Sequence, residues 1–103
     1  MSRRVYITNK GAHDYSPAAR YGTISFLTEG AVSPFKINTL YRHIARGLEN
    51  STENDYLVIS SLPILNALAS AILARKHGRI NFLLYMDGDY IERTIEVDAL
   101  ISP

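Results

Sequence analysis

The clearest pattern of hydrophobic positions lies between residues 55 and 78, where a short apolar run leads into an almost wholly apolar segment. Leu57, Val58 and Ile59 form an unbroken apolar run, which is typical of a strand covered on both faces in an α/β sheet. Pro63 favours the first turn of a helix, and a basic last turn followed by Gly78 predicts where that helix ends. We therefore expect a central strand followed by a helix over residues 63–77.

The rest of the chain alternates predicted strands with predicted helices. Ser33-Pro34 should open the first long helix, because apolar residues recur at helical spacing from Ile37 to Leu48. Asp87-Gly88 lies between two strand-like runs and predicts a β-hairpin. The further predicted elements are a strand over residues 4–8, a single helical turn after Ser16, a strand over 23–28, and hairpin strands over 81–86 and 89–97.

This order of elements predicts a single α/β domain over residues 1–103. We expect a small two-layer or three-layer sandwich with a mixed sheet of about five strands, two main helices and a C-terminal β-hairpin. The sheet should be parallel around the central strand and antiparallel at the hairpin. In the last strand, Arg93 lies on the same face as Ile91 and Ile95, where it either blunts an edge strand or meets an acidic partner or a ligand.

The second predicted helix is apolar on nearly every side, and a small domain has few elements with which to cover it. We therefore predict a homo-oligomer in which small residues of this helix form the subunit interface. The alternative is that the helix is covered by its own sheet and by the first helix. The predicted interface residues are Ala67, Ser70, Ala71 and Ala74.

Composition narrows the class of protein. The 103 residues contain no cysteine, which excludes a disulfide framework, a thiolate metal site and a thiol nucleophile. The chain has no apolar leader and no apolar run long enough to span a bilayer, so we expect a cytoplasmic protein that does not enter the membrane. Basic residues predominate over residues 1–46 and acidic residues over 87–98. This asymmetry favours an anionic ligand near the N-terminal half, or else reflects solvated surface charge.

A ligand site is predicted where the first and central strands end. In open α/β sheets, ligands bind beyond the carboxyl ends of parallel strands, and the free N–H groups at a helix start suit phosphate or carboxylate. Each residue there also has an ordinary structural role, since serines cap helices and Asp14 can form an Asx turn. The predicted ligand-binding residues are Asn9, Lys10, His13, Asp14, Tyr15, Ser60, Ser61 and Asn66.

Catalysis has less support in the sequence. His13 and Asp14 would be the base and its orienting group of a small hydrolase, although adjacent residues rarely point at one another. The GxSxG, P-loop and GxGxxG motifs are absent, and the three histidines lack metal-ligand spacing. Arg42 and Arg46 give the first helix only a small basic face, which argues against specific nucleic-acid binding. We therefore assign no catalytic residue, no metal and no cofactor, and keep the hydrolase as an alternative.

Four short segments of the chain are distinctive: His13–Ser16, Arg20–Gly22, Leu27–Gly30 and Ala74–Gly78. Together they resemble small accessory proteins of tailed bacteriophages, over most of the chain. The resemblance implies a protein of the host cytoplasm, where phage proteins of this size modulate host enzymes or neutralise immune systems.

Three functions follow as hypotheses. The leading one is a non-catalytic homo-oligomer that holds an anionic, nucleotide-like ligand and thereby sequesters a host immune signal. The second is an inhibitor that binds a host protein, or an assembly component. The third is the small hydrolase that uses His13 and Asp14.

Overall fold

A five-stranded sheet forms the centre of the molecule, which is described by this computed structural model over residues 3–60 and 62–101. The strands are β1 (Arg4–Ile7), β2 (Thr23–Phe26), β3 (Tyr56–Val58), β4 (Arg79–Met86) and β5 (Asp89–Glu96). The α-helices are α1 (Ile37–Gly47), α2 (Pro63–His77) and α3 (Val97–Ile101), and a 3₁₀ helix (Ser16–Tyr21) connects β1 to β2.

The strand order is β2-β1-β3-β4-β5. β1 is parallel to both of its neighbours, β4 is parallel to β3, and β5 pairs antiparallel with β4. This arrangement confirms the predicted α/β fold with a mixed sheet and a C-terminal hairpin. Because β1 and β3 are parallel neighbours, the loops that follow them meet at one edge of the sheet.

Helices α1 and α2 cover one face of the sheet, which we call the helix face. Tyr6 and Leu57 point from the sheet to this face, because successive side chains of a strand alternate between faces. Aliphatic side chains from both helices pack against them and bury the largest cluster of the protein. The helical members of this cluster are Leu40, Ile44, Leu65, Ala69, Ile72 and Leu73.

The opposite face, which we call the aromatic face, is covered by the 3₁₀ helix and by tyrosines. Val5, Ile7 and Val58 point to this face and are fully buried. Aromatic rings pack in pairs in and around this layer, where Tyr21 lies 5.5 Å from Tyr56 and Tyr85 lies 5.5 Å from Tyr90. The molecule therefore has two cores, one on each side of the sheet.

The two main helices differ from their predicted starts. α1 begins at Ile37 rather than after Ser33-Pro34, and its N-terminal flanking residue Lys36 makes no side-chain capping bond. α2 covers the predicted residues and ends at Gly78 with φ 68°, but Leu62 rather than a serine precedes it. The predicted stripe of α1 is only partly buried, because Ile37 is 42% and Tyr41 50% exposed.

The last strand differs most from its predicted pattern. Tyr90 shares its face of the strand with the polar residues Glu92 and Thr94, yet it is only 2% exposed. Ile95, which shares the other face with Ile91, is 40% exposed. The reason is the 3₁₀ helix, which packs against the hairpin: the Tyr21 hydroxyl donates to the Tyr90 carbonyl oxygen at 2.9 Å, and Arg20 Nη2 at 3.3 Å. Arg93 is exposed on the edge strand, as its predicted role of blunting an edge strand requires.

Candidate functional site

The candidate site lies where the chain leaves β1 and β3 in opposite directions. After β1 the chain crosses the aromatic face through the 3₁₀ helix to β2, whereas after β3 it crosses the helix face through α2 to β4. The loops after these two neighbouring strands therefore separate and leave a crevice between them. Such switch points are where open α/β sheets bind their ligands.

The floor of the crevice is a hydrogen-bond network that joins β1, β3 and α2. The hydroxyls of Thr8 and Ser60 lie 2.7 Å apart, and both approach the side-chain carbonyl of Asn66, at 3.2 Å and 3.3 Å respectively. The Asn66 amide then donates to the Ser60 carbonyl oxygen at 2.8 Å. Ser60 is thus held by Asn66 and does not cap α2, which corrects its expected structural role.

Aromatic rings form the walls of a cleft above this floor. The His13 ring lies 4.8 Å from the Tyr15 ring and 5.0 Å from the Tyr85 ring, in edge-to-face contacts. The cleft has a volume of about 180 Å³. We call it the switch-point cleft, and it is lined by His13, Tyr15, Ile59, Ser60, Tyr85 and Tyr90.

Tyr90 brings a buried polar group to the cleft. Its side chain is 2% exposed, and among the described residues its hydroxyl has no hydrogen-bond partner. Burial, and next the neighbouring Tyr15, raise the pKa of Tyr90 to about 12, so the group is a neutral phenol at physiological pH. A buried hydroxyl without a partner costs about 1–3 kcal/mol. A ligand atom that bonds to it would recover much of that free energy.

The charge in the cleft is low. None of its lining residues is lysine, arginine, aspartate or glutamate. Asp14 lies outside the cleft, where its carboxylate accepts a bond from the Ser16 backbone N–H at 2.9 Å. That bond, above all, lowers the pKa of Asp14. Asp14 thus forms the Asx turn that leads into the 3₁₀ helix, and its hydrogen bonding gives no support to a role in orienting His13.

The structure brings together half of the predicted ligand-binding residues. His13, Tyr15 and Ser60 line the switch-point cleft, and Asn66 lies beneath it. Asn9, Lys10 and Asp14 do not line the cleft. Ser61 falls outside the described residues.

Asn9 and Lys10 are engaged on the β2 side of the edge. The Asn9 side-chain carbonyl accepts a bond from the Thr28 hydroxyl at 2.9 Å. The Lys10 ammonium lies 5.5 Å from the centre of the Phe26 ring, outside the cleft. Both residues therefore support the loop that carries His13 and do not line the cleft themselves.

Four residues of the site were not among the predicted ligand-binding residues. Ile59, which lines the cleft, was assigned only to the central strand. Thr8 was the last residue of a predicted strand, and its fully buried hydroxyl joins the floor. Tyr85 and Tyr90 were placed in the hairpin, where they form a directly paired cross-strand position. Their spacing on either side of Asp87-Gly88 predicts that pair, but nothing in the sequence predicts that the hairpin lies beside His13.

Among the predicted interface residues of α2, Ala74 packs partly against the core of the helix face. Ala67 and Ala71 are exposed, whereas Ser70 and Ala74 are half-buried. Ala71 also borders a groove of about 420 Å³ between α1 and α2, whose other wall includes Tyr41 and Ala45. The subunit interface at this surface stays a prediction.

Residues 3–60 and 62–101 contain neither a cluster of metal-ligating side chains nor a membrane-spanning helix. That part of the chain contains no group of three or more histidine, cysteine or acidic side chains placed to hold a metal ion. Over the same residues, none of the helices combines the length and the apolar character that crossing a bilayer requires.

Comparison with known proteins adds one finding. The model of the family described as phage Pam3 gp32-like protein matches residues 3–98, which is nearly the whole chain. No curated protein and no solved structure matches. The resemblance to phage proteins is therefore confirmed, while the comparison assigns no activity.

Proposed function

We propose that this chain, which belongs to the phage Pam3 gp32-like protein family, is a non-catalytic small-molecule-binding protein. Its binding site in this proposal is the switch-point cleft. The observation that carries the proposal is the Tyr90 hydroxyl, which is buried beside the cleft without a hydrogen-bond partner among the described residues. A polar ligand atom in the cleft would supply that partner.

The shape of the cleft favours a flat, ring-containing ligand. Aromatic walls at His13 and Tyr85 offer stacking and edge contacts, and Ser60 offers a hydroxyl at the floor. The cleft volume of about 180 Å³ is smaller than the roughly 300–1,000 Å³ of pockets that enclose a whole drug-sized ligand. We therefore place only one ring, such as a nucleobase, inside the cleft.

The rest of a nucleotide-like ligand would lie over the start of α2. The chain enters that helix from Ser60, and its flanking residue Leu62 has no side-chain bond to the first turn. The positive end of the helix dipole attracts phosphate or carboxylate there. Since no lysine or arginine lines the cleft, we attribute the preference for an anion to this helix start.

The biological role in this proposal depends on the ligand. If the ligand is a signalling nucleotide, a phage protein that holds it without turnover would sequester a host immune signal. Native mass spectrometry of the purified protein, followed by denaturation and analysis of released small molecules, identifies the ligand class and the number of subunits together. A protein that carries no ligand and binds none of a panel of nucleobases, nucleosides and nucleotides would overturn the proposal.

The sharpest test replaces Tyr90 by phenylalanine. Tyr90→Phe removes the unpartnered hydroxyl, so the free protein should keep its stability or gain up to about 1 kcal/mol. Ligand affinity, measured by isothermal titration calorimetry, should nevertheless fall roughly tenfold, because the ligand loses a hydrogen bond. Tyr41→Phe is the matched control, since Tyr41 is half-exposed on α1 and does not line the cleft.

The opposite pattern would contradict the assignment of the site. Unchanged ligand affinity in Tyr90→Phe would show that the hydroxyl does not bind the ligand. Turnover of the bound compound that is lost in His13→Ala would favour the hydrolase instead.

A further inference from the structure

A second polar cavity lies at the other end of the sheet, where β3 and β4 begin. It occupies about 110 Å³ on the aromatic face and shares no lining residue with the switch-point cleft. That volume equals roughly three or four water molecules at about 30 Å³ each, which is room for one small ion. The residues that matter to its chemistry are Arg3, Tyr56, Arg79, Asn81, Glu92 and Thr94.

Most of the polar wall is held in place by the protein. The Asn81 amide donates to the carbonyl oxygens of Glu53 and Asp55 at 2.8 Å and 3.1 Å, and its own carbonyl accepts from the Thr94 hydroxyl at 2.8 Å. Arg3 Nη1 donates to the Tyr56 hydroxyl at 2.6 Å. The cavity is therefore built from fixed side chains on three strands and the segment before β1.

Arg79 is the exception in this wall. Its Nη2 reaches Asn81 Oδ1 only at 3.4 Å and Glu96 Oε1 only at 3.5 Å. Its Nε is buried and, within the described part of the chain, has no hydrogen-bond partner. A buried donor on a charged group is costly to leave unpaired, and a guanidinium pairs best with an oxyanion that accepts two parallel bonds.

Charge in the cavity also favours an anion. Two guanidinium groups, those of Arg3 and Arg79, line it against one lining carboxylate, that of Glu92. The Glu96 carboxylate near Arg79 is 58% exposed, so water screens its charge. The Glu92 carboxylate already has a neighbour in Tyr56, because it contributes, after burial, to raising the pKa of that phenol. We propose that this cavity binds a small oxyanion, of the size of inorganic phosphate, through the guanidinium groups of Arg79 and Arg3.

The test is a titration with inorganic phosphate at constant ionic strength, followed by ¹H–¹⁵N NMR of the arginine Nε–H signals. The Arg79 signal should shift saturably, while that of Arg93, exposed on the same hairpin, should not move. Arg79→Lys keeps the charge but loses the Nε donor, so phosphate affinity should fall roughly tenfold or more. Arg93→Lys is the matched control and should leave the affinity unchanged.

A variant that should raise the phosphate affinity tests the proposal even if Arg79→Lys fails to fold. Glu92→Gln removes the one negative charge of the cavity at nearly constant volume, so it should tighten phosphate binding. No saturable shift of the Arg79 signal with phosphate, sulfate or acetate would overturn the proposal, as would an unchanged affinity in Glu92→Gln. Tyr90→Phe should not alter phosphate binding here, so this site and the switch-point cleft can fail independently.

Discussion

The two faces of the sheet are stabilised in different ways. On the helix face, aliphatic side chains of α1 and α2 interdigitate with the sheet, and fully buried Ile44 and Leu65 are typical. On the aromatic face, a short 3₁₀ helix and several tyrosines cover the sheet, and directional bonds such as that from Tyr21 to the Tyr90 carbonyl hold them. Burial of apolar surface and dispersion stabilise the helix face, whereas a few specific contacts hold the elements of the aromatic face in place.

This difference explains where the two candidate ligand cavities lie. Both cavities that we assign to ligands have tyrosines in their walls and side chains from the aromatic face. A layer held by a few polar contacts can leave a buried hydroxyl or guanidinium unpaired, whereas aliphatic side chains such as Leu65 and Ile72 have no such groups. The helix face thus supplies most of the aliphatic burial, and the aromatic face supplies the unpaired polar groups.

The largest expected effect is on the helix face. Leu65→Ala should lower the free energy of unfolding by about 2–5 kcal/mol, because it removes a fully buried side chain of α2 and leaves a cavity. Urea unfolding measures this loss. Leu84→Ala is the control, since Leu84 is 40% exposed on the hairpin and should cost much less. Equal losses in the two variants would contradict the assignment of Leu65 to the core that stabilises the helix face.

A smaller effect is expected on the aromatic face. Tyr21→Phe keeps the ring that packs on Tyr56 but removes the hydroxyl that bonds to the Tyr90 carbonyl, so it should cost about 0.5–1.5 kcal/mol. The loss should be local, with faster amide exchange in the hairpin than in α2. Uniformly faster exchange across both faces would show that the two layers are not separable.

The smallest effect concerns pH and the end of α2. Burial, and next the positive charge of Lys76, lower the pKa of His77 from its usual 6.5, and its Nε2 lies 2.9 Å from the Ser51 hydroxyl. The unfolded chain then binds the proton more readily, so stability should fall as the pH drops below 6.5 and level off beneath the folded pKa. His77→Gln should remove part of this slope in unfolding measured from pH 7.5 to 5; an unchanged slope would assign the dependence to other groups.

The sequence predicted the helix face better than the aromatic face for a physical reason. Helical spacing between Ile37 and Leu48 identifies the buried residues Leu40 and Ile44, because a helix buries one stripe wherever it packs. The predicted start of α1 was wrong by several residues. Ser33-Pro34 is typical of a helix start, but the helix begins at Ile37 and its flanking residue Lys36 makes no capping bond. Local patterns thus determine which segments are helical more reliably than where they begin.

The candidate site was only half predictable. His13, Tyr15 and Ser60 follow from the rule that ligands bind where parallel strands end, once β1 and β3 are neighbours. Tyr85 and Tyr90 come from the hairpin, and they reach the cleft only because the 3₁₀ helix packs against β5. Such contacts between residues distant in sequence have no periodic pattern, so they cannot be predicted from the hydrophobic pattern of a single sequence.

The two bonds to the Tyr90 carbonyl also bear on how copies of this protein can assemble. An edge strand normally offers its main-chain groups to another chain, and a sheet with two open edges can grow into a fibre. Here Arg20 and Tyr21 occupy part of the β5 edge, so strand addition there must first break both bonds. Addition through β2 alone joins two chains and then stops, so the chain cannot polymerise by strand addition at both edges.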